Sequence, residues 1–209
     1  MHLACPTIFV IKQGEVRRLV VLDDDAAMIG RMHRRKVDDR YVVIPCRNQP
    51  WRSEPCPLCA SDESKLRALL TVIDVDGFVG RDGNHVRFQR RLYMADDRAI
   101  GNQPSSMEFL SAARKRYGTL RGFSFTAKLN VAAHGSPGDE FVEAEKHVRL
   151  TPETAAIVAN KWGLRGVQDL APFEYAKFVR EMTVAEMQGF IAERLPAHPQ
   201  RDAGIPAGA

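Results

Sequence analysis

The chain has 209 residues, a length that fits one domain with an appendage or two small ones, and its 44% hydrophobic and 27% charged residues disfavour wholesale disorder, collagen-like repetition or a coiled coil. Thirty Lys and Arg against 26 Asp and Glu give a net charge of +4, a mild excess whose meaning depends on where the charges lie. No stretch approaches the ~18 uninterrupted apolar residues of a membrane helix, and Met1 to Phe9 lacks the basic start and apolar run of a leader, so a cytoplasmic location with no membrane partner is expected.

In chain order, Thr7–Ile11 and Val16 with Leu19–Leu22 alternate as strands around a Gln13-Gly14 turn, which predicts a hairpin. A polar break at Asp23–Asp25 leads to the basic cluster Arg31, His33, Arg34, Arg35, Lys36, and then to a strand at Tyr41–Pro45. Residues 46–59 form a Cys- and Pro-punctuated loop too polar to supply its own core. Leu69–Val75 reads as a strand, and Asp82-Gly83-Asn84 is a turn before a second strand over His85–Tyr93. Ser105 or Ser106 is placed to cap a helix that Gly118 stops. Gly122–Val131 alternates cleanly, 134–139 is a loop, and Glu140–Leu150 reads as a final strand.

After Thr151-Pro152 the period changes to 3.6. Ala155, Ile157, Val158 and Trp162 suit one helix, Tyr175, Phe178 and Val179 a second, and Thr183–Leu195 a third with Met187, Phe190 and Ile191 inward. The expected organisation is a mainly β unit over 1–150, a helical segment over 151–195, and a mobile tail over 196–209.

Of the four cysteines, Cys46, Cys56 and Cys59 lie within fourteen positions beside prolines, a concentration that points to metal binding. The Cys56-Pro57-Leu58-Cys59 pair alone is either half of a zinc site or a thioredoxin-like dithiol opening a helix over Ala60–Leu70. His33 is a candidate fourth ligand, with His85 and Cys5 as rivals. A closed Cys3His set leaves no open position for water and would be structural.

The order His33, twelve residues, Cys46, nine residues, Cys56, two residues, Cys59 resembles the zinc module of the single-stranded DNA-binding proteins of T-even bacteriophages and related phage proteins. The similarity extends to the flanking text, His33-Arg34-Arg35-Lys36, Tyr41–Cys46, Cys56–Cys59 and Val72-Ile73-Asp74, and covers roughly residues 7–150. It implies one structural Zn2+ held by His33, Cys46, Cys56 and Cys59, in a zinc subdomain at about 31–62 inserted in an OB-fold barrel. It also implies single-stranded DNA as partner, in replication, recombination or repair, with replication or recombination proteins as further partners. The resemblance stops at the ends: Met1–Cys5 carries no cluster of Lys and Arg, and Pro196–Ala209 carries Asp202 alone as an acid. Cooperative self-association and tail-mediated recruitment are therefore not implied.

A sequence-tolerant single-strand binder needs cations for phosphates and flat aromatics for bases. Three groups supply them: Arg31, Arg34, Arg35, Lys36 and Tyr41, with Trp51 and Arg52 in the loop; Arg87, Arg90, Arg91 and Tyr93; and Arg114, Lys115 and Tyr117. Phe88 and Tyr93 are read first as barrel core, since small barrels fill their interior with alternate side chains. No nucleotide-binding, nucleophile-elbow or metalloprotease motif occurs, so an enzyme is not expected. Asp74 and Asp76 could serve only a two-metal site. The alternative function is a zinc-containing protein-interaction module or transcription/replication adaptor whose basic clusters meet an acidic partner.

Overall fold

The computed structural model describes residues 6–37, 40–48, 55–60, 63–79, 83–99, 103–131, 137–179 and 181–194. Its centre is a strand whose residues are buried without interruption from Ala68 to Asp74. This is β4 (Lys65–Asp74), preceded by β1 (Val16–Val21), β2 (Met28–Val37) and β3 (Arg40–Pro45). After it come two-residue strands β5 (Phe78–Val79) and β6 (His85–Val86), then β7 (Gln89–Asp96), β8 (Ser124–Val131) and β9 (Pro137–Glu143). All ladders between these strands are antiparallel. The main sheet runs β3-β2-β4-β1-β8-β9, and β7 pairs the other edge of β4. On its first edge β4 is shared: Lys65–Leu69 meets β2, and Val72–Asp74 meets β1. Among the described residues no ladder joins β3 to β9, so the sheet is not closed into a barrel.

Both faces of β4 are covered, which explains its apolar run. On one face Ala68, Leu70 and Val72 pack with Leu19, Val21, Tyr93, Phe123 and Phe125 under α1 (Ser106–Tyr117), which contributes Leu110 and Ala113. Ser105 caps α1 through a capping box with Glu108, and Gly118 ends it in the left-handed conformation. On the other face Leu69 lies in a cluster with Ile8, Met32, Val43, Leu92, Phe178 and Val179, and Ile73 in one with Leu22, Leu150, Leu170 and α2 (Pro152–Lys161). The last helix, α3 (Val184–Arg194), packs at the far end of the hairpin formed by β2 and β3.

Four expectations are corrected. Residues 7–11 do not form a hairpin with β1. Phe9 donates to Leu92 and Leu92 to Thr7, with a parallel bridge at Ile8, so the segment runs beside β7 and sends Ile8 and Phe9 into different clusters. The basic cluster of residues 31–36 is itself strand, Arg31 and Met32 pairing β4 and Met32 to Lys36 pairing β3. The strand expected through Leu150 ends at Glu143. Beyond it the backbone crosses Gly122, where a Cβ would meet the Val148 carbonyl oxygen at 1.9 Å. The helix expected around Tyr175 is a 3-10 turn over Tyr175–Lys177. There Phe173 N–H donates to Thr71 Oγ1 at 2.8 Å, and Tyr175 donates to the buried Asp23 at 3.0 Å, ties to the sheet that override local helical preference. The expected tail, 196–209, lies outside the described residues. Among those described, no helix is long and apolar enough to cross a membrane.

Candidate metal centre

The hairpin β2–β3 fixes two of the four expected ligands. His33 stands opposite Ile44 in the register, and Cys46 follows β3 with its N–H donating to Arg31 at 2.8 Å. Of the other two, Cys56 precedes and Cys59 lies on a 3-10 turn, Pro57–Ala60, closed by Cys59 N–H to the Cys56 carbonyl and anchored by fully buried Leu58. These pieces bring one atom each of His33, Cys46, Cys56 and Cys59 within 4.8 Å of one another.

Cys46 Sγ lies 3.5 Å from Cys59 Sγ, and His33 Nε2 lies 3.4 Å from Cys56 Sγ and 3.7 Å from Cys59 Sγ. A tetrahedral zinc ion, with bonds of about 2.3 Å to sulfur and about 2.0 Å to nitrogen, requires edges of about 3.8 Å between sulfurs and about 3.5 Å from sulfur to nitrogen. Donor types, number and spacing thus suit a metal ion such as zinc. Burial pushes the Cys59 thiol up to about 12, helped by its neighbours Cys46 and Cys56. For Cys56 burial acts the same way, but N–H groups of Arg47, Leu58 and Cys59 outweigh it and hold the thiol below its ordinary range. Metal ligation needs thiolates, and a divalent ion at the shared centre supplies the charge that stabilises them together.

The dithiol reading required a helix after Cys59. Residues 65–74 are strand instead, so the pair opens no helix. His85, a rival ligand, is exposed on β6 and outside the cluster, and Cys5 lies outside the described residues.

The sequence did not reveal what covers the cluster. Met187 of α3 is fully buried with Ile44, Cys46, Cys56 and Leu58, and its Sδ lies 3.9 Å from Cys56 Sγ. Arg47, one residue past Cys46, donates to the Met182 carbonyl at 3.0 Å, fastening the approach to α3. The apolar face of α3 was legible as Met187, Phe190 and Ile191. Nothing in the sequence said that it would seat on the ligands.

The expected nucleic-acid residues divide by environment. Arg31 is exposed and bonds Ser64, Arg34 is exposed, and Arg35 is half-buried, all on the strand that carries His33. Lys36 pairs Tyr41 in the register, and Trp51 and Arg52 lie outside the described residues. Arg87 is exposed beside Phe88, while Arg90 donates to the carbonyls of Gln168 and Ala171. Arg91 is buried, 3.8 Å from Asp74, and lies over the Phe78 ring. Tyr93 packs between Phe9 and Phe125 and, 6% exposed, is a core residue with no face for a base. Arg114 pairs Asp25 and Lys115 is exposed, whereas Tyr117 and Arg116 both engage Glu143. Asp74 and Asp76, the carboxylates weighed for a two-metal site, are tied to Arg17 and Arg18.

No family model matches the chain, and neither a curated protein nor a solved structure matches it.

Proposed function

We propose that this protein is a non-enzymatic, sequence-nonspecific single-stranded DNA-binding protein acting in DNA replication, recombination or repair. In this reading the antiparallel sheet is an OB-type fold, and His33, Cys46, Cys56 and Cys59 hold one structural Zn2+. The observation that carries the reading is the convergence of these four residues, at the spacing noted above, on a hairpin whose own strand carries Arg31, Arg34 and Arg35. Zinc would brace the 33–59 region, whose 46–59 loop is too polar to supply a core of its own, because metal-binding free energy is also folding free energy there. The arginines would capture phosphates and exposed aromatics would stack bases, each stacked base being worth about 1–3 kcal/mol.

The test is binding of fluorescent oligo-dT and of the matching duplex to metal-assayed protein across salt concentrations. Single-strand-selective affinity should fall with salt, with a logarithmic slope of about −0.7 per phosphate contacted. Metal-loaded protein that ignores oligo-dT would refute the reading and favour the protein-interaction module.

A further inference from the structure

Outside the metal centre, the described surface holds a cleft of about 440 Å³ between the joint of β6 and β7 and the loop that follows α2. That volume falls within the range of small-molecule sites. Resting on the reading above, we propose that this cleft is a nucleotide subsite on the path of the single strand, with Phe88 facing a base and Arg87 and Arg165 holding backbone phosphate.

Three observations support the assignment. Phe88 is the one non-glycine residue with positive φ among those described, at 53°, a strained conformation for a bulky aromatic. It interrupts the strand between Val86 and Gln89, and its ring is supported from behind by Trp162, stacked at 5.2 Å and 14°. Strain of this kind persists where the surroundings fix it, and here it sets an aromatic into the cleft wall.

The walls are joined by Arg90. Its guanidinium lies 4.5 Å over the Phe173 ring and donates to the Gln168 and Ala171 carbonyls at 3.3 and 2.9 Å. Arg90 is thus a positioning residue that holds the loop after α2 against β7.

The charge of the lining is also one-sided. Arg87, Arg90 and Arg165 face a single carboxylate, Asp169, which Arg165 engages at 2.8 Å. The Arg165 side chain is nevertheless 84% exposed, and Arg87 is exposed, its guanidinium 5.3 Å over the Phe88 ring and its Nε in a long bond of 3.5 Å to the Val75 carbonyl. A lining with excess cationic charge and a supported aromatic suits an anionic ligand with a flat ring, which a nucleotide of a single strand supplies.

The experiment compares wild-type, Arg87→Ala/Arg165→Ala and Lys128→Ala proteins, each full-length and metal-loaded, for oligo-dT affinity and salt slope. The double variant should bind at least fivefold more weakly, with a slope flatter by about 1.4, two contacts at about 0.7 each. Lys128→Ala, at an exposed position on β8, should match wild type. Should the double variant melt early, Arg165→Ala alone carries the test with half the slope change. Wild-type binding with an unchanged slope in the variants overturns the subsite and leaves the proposed function standing. Wild-type protein that ignores oligo-dT overturns the function and the subsite with it. Binding of poly-glutamate in place of oligo-dT, lost in the double variant, overturns the ligand class.

Discussion

Replacing Cys56 by Ser tests the candidate metal centre most directly. Cys56 is 5% exposed, its sulfur stands 3.4 Å from His33 Nε2, and no further described His, Cys, Asp or Glu joins the set of four. With free zinc 100-fold above the dissociation constant, binding to the folded chain alone contributes about 2.7 kcal/mol. In a chain of this size each kcal/mol moves the melting temperature by about 2–4 °C, so loss of the metal should lower it by about 5–11 °C. A serine hydroxyl set among Ile44, Leu58 and Met187 adds a metal-independent cost of about 1–3 kcal/mol. Calorimetry with and without a chelator separates the two: wild type should fall by the metal increment, whereas Cys56→Ser should start lower and barely respond. Zinc content by emission spectrometry should drop in parallel. A Cys56→Ser protein with one zinc and wild-type chelator sensitivity would refute the ligand assignment.

Met187→Ala removes a fully buried side chain seated on the ligands and should cost about 2–5 kcal/mol in urea denaturation while zinc stoichiometry stays at wild type; a cost below about 1 kcal/mol would contradict the seat of α3. Burial raises the Asp23 carboxyl above its ordinary 3.8, so the folded chain holds that proton more tightly than the unfolded one. Wild type should therefore gain stability relative to Asp23→Asn as pH falls through the raised value toward 3.8, and lose that gain as pH rises, which denaturation across a pH series will read. Because Thr71 N–H and Tyr175 O–H both donate to the same Asp23 oxygen, the asparagine carbonyl can accept both, and at pH 7 the variant should be no less stable than wild type. Gly122→Ala should cost at least about 2 kcal/mol more than Gly14→Ala in the same assay, since both have positive φ but only at Gly122 does the new Cβ meet backbone, the Val148 oxygen at 1.9 Å.

The three cysteines of the candidate set were legible because a C-x-x-C turn with a third thiol ten positions before it is a local signal, whereas His33 was separated from His85 and Cys5 by the resemblance and not by local chemistry. Both caps of α1 were legible as local signals too, Ser105 and Gly118 acting on adjacent backbone. Strand β2 was hidden because Arg31, Arg34, Arg35 and Lys36 overwrite the alternation that Met28 and Met32 begin, and its pairing, with β4 over Met28–Met32 and with β3 from Met32 onward, supplies what its composition lacks. The segment around Tyr175 was misread because its conformation is decided by partners over 100 positions away, Thr71 and Asp23, which periodicity cannot see. Tyr93 and Arg91 read as a basic aromatic strand, yet their pairing with Leu70 and Val72 on β4 sets both where α1 and β5 cover them.

The residues after 150 do more than extend the chain. α2 packs on Leu22 and Ile73, the stretch Phe173–Val179 on Leu69 and Leu92, and α3 on Ile44, Cys46 and Cys56, so one continuous segment touches three separate clusters, the last beside Ile44, which points to the opposite face of β3 from Val43. Between these anchors it is fastened by polar bonds at intervals: Arg121 donates to the Leu170 carbonyl, Arg90 to those of Gln168 and Ala171, Tyr175 to Asp23, and Arg47 to that of Met182. Each anchor alone is modest. Joined by short chain, an undocked piece is held near its seat at high effective concentration, so the anchors reinforce one another. The metal centre and the cleft at Phe88 are thereby bound by the same segment, one under α3 and the other against the loop after α2. Loosening at the ligands should consequently appear first as faster hydrogen exchange in 184–194, with 164–173 protected until the hold of Arg90 and Tyr175 also fails.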